Sequence, residues 1–169
     1  MSSLPMLRAD GDMPFGYDEF ISMCEGSVQG KTLDTLKNLT LTSDGAGILG
    51  EWEKYYSELS EQLAYSRKIK LSQKANQPLF ASDEAVKAVN SAMNEKNPLN
   101  AEFILLEYQF KKLDELIGSH NFDEYALFGY ALKLKLLERK TVFDKEIGKS
   151  ELMRIVKNIR KQVTDINEE

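Results

Sequence analysis

Residues 97–118, NPLNAEFILLEYQFKKLDELIG, decide how this chain folds. Asn97 can accept from the unpaired amides of a helix start, and Pro98 suits the first helical turn, where no backbone donor is needed. Behind them Leu99, Phe103, Leu106, Phe110, Leu113 and Ile117 recur at alternating steps of four and three residues. That spacing is a heptad seam, which places all six side chains along one helical face, and Gly118 supplies the stop.

Downstream of this helix, Asn121 with Glu124 three residues later has the spacing of a capping box and predicts a new start. From Tyr125 to Leu137 the following helix is apolar nearly all round, so it is expected to be the most buried one. Gly148 should stop it. Ser150 can cap a last helix, where Leu152, Ile155, Val156, Ile159, Val163 and Ile166 make a second seam with mainly basic flanks. Short glycine-containing connectors between these three helices predict antiparallel neighbours.

Upstream, Ser82 or Asp83 can cap a helix with the stripe Val86, Val89 and Met93, in which Ala85, Ala88 and Ala92 permit close approach. Pro78 marks the connection before it. A long helix to about Gln73 is expected from a cap at Ser43 or Asp44. It keeps Ile48, Trp52, Tyr55, Tyr56, Leu59 and Leu63 on one face and ends in the basic run Arg67 to Leu71. Leu39 to Thr42 alternates apolar and polar residues, a strand-like stretch too short to imply a sheet. A short helix over Gly30 to Leu39 and another from Tyr17 to Cys24, with Phe20, Ile21 and Cys24 inward and Gly26 as stop, complete the pattern. Pro5 makes the first residues extended, and Asp10 to Pro14 reads as a turn.

The fold class is therefore all-α: an antiparallel bundle of about five to seven helices with a short extended N-terminal segment. The 169 residues are read as a single helical domain, with an N-terminal lobe over 1–75 and a C-terminal three-helix unit over 97–167 as its natural subdivisions. With 42% hydrophobic and 29% charged residues the chain is expected to be soluble and globular. No apolar run is long enough to cross a bilayer, and no secretory signal is legible in the first residues. The net charge of −5 disfavours nucleic acid as a partner. The charge is polarised: Met1 to Leu63 holds 11 acidic and 4 basic residues, whereas Lys133 to Lys161 holds 10 basic and 4 acidic. Such asymmetry can steer docking or be satisfied within the chain.

Chemistry-bearing patterns are few. Gly45 to Gly50 spells G-x-G-x-x-G, but a dinucleotide site needs a strand leading into the first glycine and an acidic ribose ligand on a second strand, and the corresponding stretch here is helical and basic. A flexible helix entrance or a tight helix crossing is the better reading. His120 is the single histidine, which excludes a di-metal carboxylate bundle, and it sits in a turn where a loop or capping role is expected. Cys24, the single cysteine, is expected to be a small buried thiol with no disulfide. Asp114 with Glu115, and Asp123 with Glu124, are adjacent residues that point in different directions and read as solvated helix ends. Arg154, Lys157, Arg160 and Lys161 read as flanks of the last seam. No catalytic, cofactor-binding or metal residue is assigned, and no cofactor is expected.

Two stretches carry a resemblance. Ser2-Ser3-Leu4-Pro5-Met6-Leu7, followed by Met13-Pro14-Phe15 and the helix Tyr17 to Cys24, resembles the start of a small uncharacterised bacterial family encoded among the subunits of V-type (A/V-type) ATPases. Tyr130 to Arg139 resembles that family's second signature. The resemblance implies a cytoplasmic, non-catalytic accessory subunit or assembly factor of a rotary ATPase. Its partners would be protein subunits such as those of the stalk, and any peripheral association with the inner face of the cell membrane would come through the complex. Leu4, Pro5, Met6, Leu7 and Arg139 are the candidate docking or packing positions. The alternative is a generic helical adaptor, or a scaffold that forms homo-oligomers through an exposed seam.

Overall fold

The computed structural model describes residues 4–78 and 82–141. Its regular structure is helical, with no strand among the described residues: α1 (Tyr17–Glu25), α2 (Lys31–Lys37), α3 (Ile48–Lys70), α4 (Asp83–Asn94), α5 (Pro98–Ile117) and α6 (Glu124–Thr141). The chain is all-α, a helical bundle, as the periodicity predicts. Residues up to Glu138 form one compact unit and Arg139–Glu169 a second, of which Arg139–Thr141, the last turn of α6, are described. The stop at Gly148, the helix from Ser150 with its seam, and Arg154, Lys157, Arg160 and Lys161 lie outside the described residues.

α1 buries Tyr17, Phe20 and Cys24, one side of a helix that ends at Gly26 as expected. Tyr17 Oη donates to Leu36 O at 2.8 Å and so ties α1 to α2. α2 is shorter than predicted because Asn38 closes it, bonding Asp34 O through both its backbone amide and its side chain. The strand-like stretch Leu39 to Thr42 is a turn instead. Ser43 Oγ accepts from the Thr40 amide at 2.8 Å, and Leu41 O, which a strand would offer to a neighbour, accepts from the buried indole Nε1 of Trp52 at 3.0 Å.

The start of α3 differs from the expectation. Ser43 and Asp44 do not cap it, since their side chains bond the amides of Thr40 and Gly45. The helix begins behind Gly47, whose φ of +62° is a left-handed conformation that favours glycine. A Cβ on Gly50 would lie 2.5 Å from Gly45 O, and one on Gly47 would lie 2.9 Å from the Tyr125 ring. The glycine pattern is thus a loop folded tightly against the first turn of α3, with α6 pressed on it. The predicted stripe is otherwise in place: Ile48, Trp52, Tyr55 and Leu59 are buried, and Tyr56 and Leu63 are half-buried.

Ser82 caps α4, accepting from the Ala85 amide at 3.2 Å. The buried face of α4 is Ala85, Val89 and Ala92, while Val86 and Met93 are half-buried. The small residues face inward because α4 packs closely on both α3 and α5. Asn97 Oδ1 caps α5 through the Leu99 amide at 3.1 Å, and Gly118, at φ +52°, ends it. Along the seam Leu106, Phe110 and Leu113 are buried, whereas Leu99 is 42% exposed. Leu105 and Gln109, off the seam, are buried too, so α5 is covered over more than one face.

The predicted capping box at Asn121 is corrected by one turn geometry. Asn121 Nδ2 donates back to Ser119 O, and Asp123 caps α6 instead, its Oδ1 accepting from the Ala126 amide at 3.1 Å. α6 is the most buried helix, as its composition predicts, with Ala126–Gly129, Ala131–Leu134, Leu136 and Leu137 enclosed. A Cβ on Gly129 would lie 2.5 Å from Ile117 Cγ1 and 3.2 Å from Ile48 Cδ1. Lys133 reaches Asp114 and Gly129 meets Ile117, so α5 and α6 run antiparallel as expected. Tyr108 meets both Tyr55 and Ser82, and Lys70 Nζ donates to Met93 O at 2.6 Å; α3 and α4 therefore run side by side in one direction, both opposed to α5.

Alanine at an exposed helical glycine ordinarily stabilises by about 1 kcal/mol. Gly50→Ala should do the reverse and cost about 1–3 kcal/mol, because its Cβ has no room against the Gly45 carbonyl. Urea unfolding of the two proteins checks this, and a more stable variant would refute the tight turn.

Candidate functional site

The stretches that carry the family resemblance meet in the fold. Leu7 is buried in the core and Leu4 packs at its edge, half-covered. Between them the Pro5 carbonyl accepts from Tyr130 Oη of α6 at 3.1 Å, which fixes the extended segment across that helix. Tyr130 also packs on Phe20 of α1 with ring centroids 5.5 Å apart. One turn further, Lys135 Nζ lies 3.6 Å from the centroid of the Tyr17 ring. The candidate positions therefore separate: Leu4 and Leu7 pack, Pro5 supplies a backbone acceptor, and Met6 is 86% exposed. Arg139 belongs to the second unit, half-buried in the last turn of α6.

Beside this contact lies an open cleft of about 830 Å³ between α1, the α1–α2 connection, α2 and the start of α6. Buried Cys24 and Leu127 and half-buried Val28 and Leu4 line it. Met23, 44% exposed, and Phe122, 77% exposed, stand at its rim. Phe122 carried no periodic signal because it sits in the turn between two helices. A large aromatic side chain in a connector that needs only polar turn residues was the available clue.

The other chemistry-bearing residues are occupied locally. His120 bonds the Asp123 carboxylate through Nδ1 and stacks on Tyr125 with centroids 4.5 Å apart. Tyr125 Oη in turn donates to Glu51 at 3.2 Å. The His120 bond, with the Ala126 amide, holds the Asp123 carboxyl below the usual carboxylate range. Burial pushes the Cys24 thiol up. Asp114 pairs with Lys133, and Glu115 with Lys112 at 3.1 Å, so that acidic pair does diverge as expected. Among the described residues no group of three or more His, Cys, Asp or Glu is arranged to hold a metal ion, and no helix is long and apolar enough to cross a membrane.

Burial raises the Tyr130 phenol to about 12 and pushes those of Tyr17 and Tyr55 up as well. An unfolded tyrosine ionises near 10. The folded protein thus holds these protons more tightly, and the contribution of Tyr130 to stability is complete below pH ~10 and lost as pH rises toward 12. Tyr130→Phe should lose about 1 kcal/mol at neutral pH with its bond to Pro5 O. Its deficit relative to wild type should shrink above pH ~10, where wild type alone must ionise this group. Urea midpoints for both proteins at neutral and alkaline pH test this, and a deficit constant with pH would contradict it.

Comparison with protein-family models, curated proteins and solved structures finds no match to this chain, so the site stands on its own geometry.

Proposed function

We propose that this chain is a non-catalytic subunit or assembly factor of a bacterial V-type ATPase, acting in the cytoplasm and binding its partner subunits through helical surfaces. The observation that carries the reading is the resemblance of residues 2–7, 13–15, 17–24 and 130–139 to the family encoded with such ATPases. Its plausibility as one unit is supported by the direct contact of the two stretches, through Tyr130 with Pro5 and Phe20. Residues that must meet to fold have a physical reason to occur together. The surface left over is then what a partner can touch: Met6 beside the packed Leu4 and Leu7, and the rim of the α1–α6 cleft.

A non-catalytic role is favoured by how the reactive residues are used. Cys24 is buried on the inner side of α1, and that burial raises its thiol pKa, which disfavours the nucleophilic thiolate. His120 is committed to Asp123 at the α6 cap, and the Gly45–Gly50 loop is filled by its own first helical turn. Nothing in these arrangements leaves a base beside a nucleophile.

At native expression, the tagged full chain should co-purify with stalk subunits of the ATPase. Met6→Ser, which removes an exposed side chain and leaves Leu4 and Leu7 in place, should reduce that recovery several-fold without lowering the unfolding midpoint. Clean recovery of an unrelated complex would sink the ATPase assignment.

A further inference from the structure

We propose that the cleft between α1, α2 and the start of α6 receives a segment of a partner protein that carries two or three apolar anchors beside lysine or arginine. This rests on the reading of the chain as a binding subunit, and it names the surface and the chemistry of what is bound.

Phe122 and Met23 give the cleft its exposed apolar surface. Both are exposed and line the cleft together with Cys24, Val28 and Leu127, and neither contributes to the buried core. Exposed aromatic and methionine side chains around a concavity are what a partner's anchors bury, and methionine adapts to several anchor shapes. Among the described residues, the charged ones that line the cleft are both carboxylates: Asp123, which accepts from the Ala126 amide and bonds His120, and Glu124, which accepts from Thr32 Oγ1 of α2 at 2.5 Å. The helices α1 and α2 that complete it carry Asp18, Glu19, Glu25 and Asp34 against Lys31 and Lys37, with Lys37 neutralised by Glu25 at 2.8 Å. A negative surface repels nucleic-acid phosphate and anionic lipid, and attracts a basic peptide. The cleft between α3 and α4 lacks this combination, since it is lined by Lys70 as well as Asp83 and by several amides.

The two clefts contain different methionines, Met23 in one and Met93 in the other, so methyl-labelled methionine in the full chain reports which is used. The probe is a synthetic leucine–lysine peptide about four helical turns long with one apolar stripe, compared with the same peptide carrying glutamate for lysine. The lysine peptide should shift the Met23 methyl resonance and leave that of Met93 in place. Phe122→Ser should weaken binding about tenfold or more, with an unchanged Met93 resonance reporting an intact bundle. The glutamate peptide should bind at least about tenfold more weakly. A shift at Met93 in place of Met23, undiminished binding to Phe122→Ser, or equal binding of the two peptides would overturn the proposal. A Met23 shift produced by raising the protein concentration alone would also overturn it, by making a second copy the occupant. No ATPase subunit enters this titration, so its failure removes the cleft alone, and failure of wild-type co-purification removes the ATPase assignment alone.

Discussion

The missing side chain at Gly129 is the constraint on which the rest of this fold depends. Ile117 from the end of α5 and Ile48 from the start of α3 converge on that position, and any Cβ there would lie within 2.5 Å of Ile117. The close approach lets α6 serve two sets of neighbours. Its first turns meet α3 and α5, through Tyr125 with Glu51 and Lys133 with Asp114. Its opposite side holds the N-terminal segment and α1, through Tyr130 and Lys135. Without that crossing α1 and α2 would have no shared core with α3, α4 and α5. Full burial of a large apolar side chain contributes about 1.5–3 kcal/mol, so the run of enclosed leucines on α6 is a large part of what offsets chain entropy here.

A helix buried on so many sides must place its charges carefully, and α6 does so with lysines. Lys133 is nearly enclosed, its ammonium reaching Asp114 at the surface while lying 5.7 Å from the centre of the Phe110 ring. Lys135 lies over Tyr17 and pairs with Glu138 at 3.0 Å. In each case the aliphatic stem covers apolar surface and the charge finds both a carboxylate and an aromatic face. This explains how a stretch that reads as core still contains two cations.

Three aromatic side chains with polar tips fasten separate elements to one another. Tyr17 bonds the end of α2, Trp52 the turn before α3, and Tyr130 the extended segment near the N-terminus. Each phenol or indole brings a large apolar body into the core and satisfies a backbone carbonyl with its polar tip. At the cleft between α1 and α6 this economy is relaxed: Phe122 and Met23 remain outside, and the charged residues among its described lining are carboxylates.

The helices were legible in the sequence because local rules decide them. Asn97 with Pro98, the Ser82 cap and the glycine stops at Gly26 and Gly118 depend on neighbours within one or two turns, and the structure keeps them, whereas of the seam only Leu106, Phe110 and Leu113 are buried. The continuous apolar character of residues 125–137 likewise announced the most buried helix. Tertiary contacts decided the rest. Which of Asn121 and Asp123 caps α6 was settled by the turn that pairs His120 with Asp123, and where α3 begins was settled by a glycine loop pressed between its first turn and Tyr125. The inward face of α4 keeps Val89 but takes Ala85 and Ala92 in place of Val86 and Met93, because two helices crowd it. The candidate cleft was invisible for the same reason. Met23, Val28, Phe122 and Leu127 have no common period, and only packing of α1 against the start of α6 brings them around one concavity.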